Sequence, residues 1–119
     1  MQLWLIFYKM ADITKDYLKE LLQLTRYNMV ACGYQKLTVD GTVKSLTIPT
    51  GARYALCVLQ SSIATPAVRY LEYGTPSSTD GIPRSDLDAF DIQGAQNLAN
   101  FKVTQVAGGT HTLHIQYYK

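Results

Sequence analysis

From Gly33 onward, apolar and polar residues alternate with period two, segment after segment; before Gly33 the apolar spacing is three and four. The run Arg53–Gln60 carries Tyr54-Ala55-Leu56-Cys57-Val58-Leu59, apolar on both faces, which predicts a strand in the middle of a sandwich. In Ala67–Tyr73, Val68, Tyr70 and Glu72 fall on one side and Arg69, Leu71 and Tyr73 on the other, the pattern of a half-buried strand whose polar side meets water or a partner. Leu37 and Val39 lead into Asp40-Gly41, a hairpin-type turn, with Val43, Leu46 and Ile48 on the return strand. Ile48-Pro49-Thr50-Gly51 reads as a type I turn, and Gly74–Asp86 as the longest exposed loop.

Further on, Leu87–Ile92 predicts a short strand with Phe90 and Ile92 inward, broken by Gly94. Leu98–Val106 predicts another, with Phe101 and Val103 inward. Ala107-Gly108-Gly109-Thr110 reads as a tight hairpin turn into a last strand. On that strand His111, Leu113, Ile115 and Tyr117 share one side, and Thr112, His114, Gln116 and Tyr118 the other. The expected fold is mainly β: an antiparallel, jelly-roll-like sandwich of seven or eight strands over residues 34–119. Residues 1–33 make an assembly element of apolar arm and helix.

The helical pattern runs from Asp12 to Ala31, with Asp12 or Thr14 as cap and Gly33 as stop. Ile13, Tyr17, Leu21 and Leu24 lie on its apolar stripe, wide enough for packing on its own sheet or for pairing with copies of itself. Ahead of it, Leu3-Trp4-Leu5-Ile6-Phe7-Tyr8 is too short to span a bilayer, which needs about 20 residues, and lacks the basic start and cleavage site of a signal peptide. It is buried either in its own domain or, as an added strand, in a neighbouring chain; the neighbour is the reading adopted. The expected interface residues are therefore Leu3, Trp4, Ile6, Phe7, Tyr17, Leu21 and Leu24. Deletion through Lys9 is then expected to leave the β domain folded and to weaken assembly.

With 119 residues the chain has the length of one domain. Its 11 Lys and Arg against 9 Asp and Glu are scattered, which argues against a nucleic-acid partner. Nine tyrosines with only 17% charged residues suit a surface half covered by partners, and also suit ordinary sandwich composition. Cys57 reads as a buried thiol and Cys32 as lying at the end of the helix; a bridge between them is the alternative.

Candidate chemistry is sparse. His111 and His114 point to opposite faces and cannot chelate one metal. Asp86 and Asp88 alternate, but the rest of a calcium loop is missing. No GxSxG elbow occurs, and Gly108-Gly109 lacks the lysine and helix of a phosphate cradle. No catalytic, cofactor-binding or metal residue is assigned, no cofactor is expected, and the chain is expected not to be an enzyme.

One set of motifs has a family resemblance: Ile48-Pro49-Thr50-Gly51-Ala52, Val68-Arg69-Tyr70, Gly74-Thr75-Pro76, Asp80-Gly81-Ile82-Pro83, Phe101-Lys102-Val103, and the Gly-Gly turn into Leu113-His114-Ile115-Gln116-Tyr117-Tyr118. Over about Gln35 to Tyr118 the chain resembles small β-sandwich virion proteins of tailed bacteriophages, of head-decoration, head-fibre or tail-associated type. The resemblance implies a non-enzymatic capsid-decoration or head-fibre protein. It would form a homo-oligomer, a trimer among the options, and dock on other virion proteins such as the major capsid protein. It would be made in the host bacterial cytoplasm and reside in the virion, with no nucleic-acid or membrane partner. The alternative is a tail-associated or lectin-like, carbohydrate-binding sandwich.

Overall fold

The computed structural model describes residues 28–63 and 65–119. The chain divides into two units, Met1–Val30 and Ala31–Lys119, and all the strands below belong to the second. They are β1 (Ala31–Val39), β2 (Lys44–Ser45), β3 (Tyr54–Ser61), β4 (Val68–Leu71), β5 (Ile82–Arg84), β6 (Ala89–Gln93), β7 (Lys102–Gln105) and β8 (His111–Tyr118); one short helix, α1 (Ala95–Asn100), lies between β6 and β7. The fold is mainly β, with two antiparallel sheets, ordered β1-β8-β3-β6 and β2-β7-β4-β5, consistent with a β-sandwich.

The pairing has a simple rule. The first strand pairs with the last, the second with the second-last, and so on inward to the β4–β5 hairpin. The chain therefore runs out and back as one ribbon. Pairing of β3 with β8 and of β4 with β7 then fuses the ribbon into two sheets. Of the eight described strands, only β4 and β5 are consecutive and paired; every other connection between them crosses from one sheet to the other.

Two turns expected to close hairpins are thus crossovers. Asp40 does end β1, and its carboxylate accepts the Thr42 N–H at 2.9 Å. Its carbonyl, however, accepts the Gln105 N–H at 3.0 Å, which carries the chain to the second sheet, where β2 lies beside β7 and not beside β1. The Ala107–Thr110 turn likewise joins strands of different sheets. Pro49–Ala52 is a turn one residue later than expected: Ala52 N–H donates to the Pro49 carbonyl at 3.1 Å, and Gly51 at φ 83 gives the type II form.

Other departures have local causes. Residues 12–27 of the expected helix lie outside the described residues, but Ala31 is already in β1, and Cys32 and Gly33 are strand residues, not a helix end. Gly33 does not stop a helix; it lets β1 approach Pro49, whose Cγ would lie 2.6 Å from an added Cβ. The expected loop Gly74–Asp86 contains β5, and the expected strand from Leu98 begins only at Lys102 because α1 occupies Ala95–Asn100.

The core lies on the inner faces. Ala55, Cys57 and Leu59 of β3, Ile92 of β6, and His111, Leu113, Ile115 and Tyr117 of β8 are buried, as are Val68 and Tyr70 of β4 and Val103 of β7. Phe90 on the first sheet stacks on Tyr70 of the second, with centroids 4.5 Å apart and planes 7° apart, and Tyr70 also stacks on Phe101 at 5.3 Å. Such pairs add about 0.5–1.5 kcal/mol each beyond area burial. The Arg84 guanidinium lies 5.2 Å from the Phe90 centroid and 5.7 Å from that of Tyr70, covering this cluster with a cation.

Candidate functional site

The period-two pattern that fills the core also sets the opposite faces. On β8 the inward residues alternate with Thr112, His114, Gln116 and Tyr118; on β3 the outward set is Tyr54, Leu56, Val58 and Gln60. β1 adds Tyr34, Lys36 and Thr38, and β6 adds Ala89, Asp91 and Gln93. Register places these residues in rows across the first sheet. One row is Tyr34, Gln116, Leu56 and Asp91; the next is Lys36, His114, Val58 and Ala89. Tyr118, Tyr54 and Gln93 form a third.

This outer face is rich in aromatic, amide and hydroxyl groups, with Lys36 and Asp91 as its charges. Its side chains are held by bonds between strands. Tyr34 OH lies 2.6 Å from His114 Nδ1, and His114 Nε2 lies 2.9 Å from Gln60 Oε1. With the proton on Nε2, the tyrosine donates to Nδ1 and the imidazole donates to the amide oxygen, so both bonds are satisfied. Tyr54 OH donates to Asp91 Oδ2 at 3.1 Å, and Gln93 Nε2 donates to the same oxygen at 3.3 Å. The Tyr54 and Tyr118 rings meet edge to face, 5.6 Å apart.

β3 was expected to lie in the middle of a sandwich with both faces apolar. It is interior to its sheet, between β8 and β6, but its outer face is partly exposed: Leu56 is 40% exposed, with Tyr54 and Val58 half-buried. Tyr34 at 62% and Tyr73 at 89% are the most exposed tyrosines among the described residues.

The other chemistry-bearing side chains have structural tasks. His111, on the side of β8 that carries Leu113, Ile115 and Tyr117, is fully buried. Its Nε2 donates to the Ala107 carbonyl at 2.8 Å and its Nδ1 faces Ser61 Oγ at 2.8 Å, bracing the β7–β8 turn against the end of β3. Cys57 has no exposure, and burial, with a smaller contribution from Asp91 and then Glu72, pushes its thiol up to about 12, so it stays protonated and unreactive. Cys32 and Cys57 are both free. Asp86 Oδ1 accepts the Ser61 N–H at 2.8 Å, and Asp88 Oδ2 accepts the Ser85 N–H at 2.7 Å, so these carboxylates cap backbone. Among the described residues, no three His, Cys, Asp or Glu side chains gather as a metal site would require. No described helix is long and apolar enough to cross a membrane.

The interface residues expected from sequence, Leu3, Trp4, Ile6, Phe7, Tyr17, Leu21 and Leu24, lie outside the described residues. The face carrying Tyr34, Tyr54 and Tyr118 was not anticipated. Alternation assigns Tyr54 and Tyr118 to a side of their own strands, but only the register β1-β8-β3 brings the three together. The sheet edges differ too. Among the described residues, the edge strand β2 has two residues, β5 three including Pro83, and β6 five, whereas β1 presents nine. Compared with known proteins, the chain matches no family model, no curated protein and no solved structure.

Proposed function

We propose that this chain is a non-enzymatic structural subunit of a bacteriophage particle, of the capsid-decoration or head-fibre type, which self-associates and docks on other virion proteins. The observation that carries self-association is the nine-residue β1, which no described strand pairs on the side away from β8. Exposed edges are normally blunted by short strands, proline or charge. β2 and β5 are short and β5 carries Pro83, while β1 is long and bears Lys36 as its one charge. A second copy of the chain, pairing β1 against β1, would satisfy that edge. The particle itself comes from the resemblance over Gln35 to Tyr118.

We read the strand order as a jelly roll of eight strands, a reading supported by the ribbon of first-with-last pairs closed by β3–β8 and β4–β7. Jelly rolls serve in capsids and in lectins alike, so the fold favours neither class and the surfaces must decide.

Light scattering on the full chain tests the reading. The wild type is expected to be an oligomer. Ala31→Lys combined with Thr38→Lys would put two further cations beside Lys36 on both strands of the seam, and like charges across a strand pair repel. Both positions are exposed, so the fold is retained and the oligomer dissociates. A wild type that is monomeric at every concentration reached would refute self-association, and an oligomer unaffected by the two lysines would refute the β1 seam.

A further inference from the structure

The outer face of the first sheet is distinct from the β1 edge and has a chemistry of its own. Its central strands are β8 and β3, away from any seam. Three tyrosine rings stand on it. From strand spacing and rise, Tyr34 and Tyr54 are about 12 Å apart, two strands and one row removed, with Tyr118 beside Tyr54. Between and around them are hydrogen-bonding groups fixed from strand to strand, His114 to Tyr34 and Gln60 and Tyr54 to Asp91, and within β8 Tyr118 OH donates to Gln116 Oε1 at 3.4 Å. Lys36 and Asp91 offset each other in charge.

We propose that this face binds a neutral oligosaccharide. A sugar ring has a C–H face that packs on an aromatic ring and a rim of hydroxyls that both donate and accept. Tyrosine supplies the first contact, and the amide, imidazole and carboxylate groups supply the second. The bonds already present hold the side chains in place, so less rotamer entropy is lost when a ligand arrives. Charge selects among occupants. A nucleic acid or acidic glycan would need several cations, and the face offers Lys36. A protein partner would favour an apolar centre, and here Leu56 and Val58 are ringed by Gln60, His114, Gln116 and Asp91. A short neutral chain laid across the strands matches both the spacing and the neutrality.

The experiment uses the full chain on an array of neutral and acidic glycans, followed by calorimetry with the strongest neutral oligosaccharide and, in parallel, with heparin. Saturable binding of a neutral glycan is expected. Tyr118→Ala or Gln60→Ala should weaken it about tenfold or more, and Lys102→Ala on the other sheet should leave it unchanged. Gln60 is exposed, so its variant keeps the fold even if loss of Tyr118 does not. Absence of neutral-glycan binding would overturn the proposal, as would binding that survives both substitutions. So would binding to heparin alone, lost as salt is raised. If the two variants instead break the oligomer seen by light scattering, the face is a protein interface and the proposal fails.

Discussion

Raising the pH above 9 should destabilise this protein through a buried thiol. Cys57 points inward from β3 and has no exposure. Burial, then Asp91, then Glu72, lifts its titration from 9.0 to about 12. The thiolate is the disfavoured form in the folded state. Below pH 9 both states hold the proton and stability is unaffected. Above pH 9 the unfolded chain releases the proton and the folded chain does not, so the unfolded state binds fewer protons and stability falls with pH. The slope approaches about 1.4 kcal/mol per pH unit, giving a loss of roughly 1.4 kcal/mol at pH 10 and about 2.7 at pH 11, a large share of a typical 5–15 kcal/mol. Tyr117, raised by burial and then by its neighbour Cys57, acts in the same direction above its ordinary value of 10. Urea unfolding followed by circular dichroism between pH 8 and 10.5 measures the slope, and Cys57→Ala, less stable at neutral pH, should lose it. A wild type whose stability stays flat to pH 10, or an alanine variant with the same decline, would refute the argument.

Phe90→Ala removes the ring that stacks on Tyr70 across the two sheets and should cost about 3–5 kcal/mol in urea unfolding. Leu87 holds φ 66 with its side chain 74% exposed, so Leu87→Asn should stabilise by roughly 0.5–1 kcal/mol, read as a rise in Tm. Gly33→Val would drive a Cβ toward the Pro49 ring on the inner face of β1, opposite Tyr117, and should destabilise by about 1–3 kcal/mol. In the native chain at pH 7, Cys57 should stay unmodified by maleimide until denaturant is added, detected by mass spectrometry.

Period-two alternation was legible without a structure because a strand's two faces follow from the backbone alone. It placed Phe90 and Ile92 inward on β6, Phe101 and Val103 in the core, and His111, Leu113, Ile115 and Tyr117 together on the buried side of β8. Turn positions were also readable, since Asp40-Gly41 and Gly108-Gly109 reverse or redirect a chain whatever it joins. Short elements were harder: α1 has six residues and β5 three, too few for a period to show.

Strand partners were decided by tertiary structure. Asp40-Gly41 carries the local chemistry of a hairpin, yet β1 pairs with β8, about eighty residues away in sequence, as in Lys36 opposite His114. The choice between a hairpin and a crossover depends on which inner faces fill the shared core, a property of all the strands at once. The candidate site depends on the same choice. Tyr34, Tyr54 and Tyr118 are scattered along the chain, and alternation fixes the face of each within its strand. Their neighbourhood exists only because β8 pairs on one side with β1 and on the other with β3, and that register is set by burial of the opposite faces.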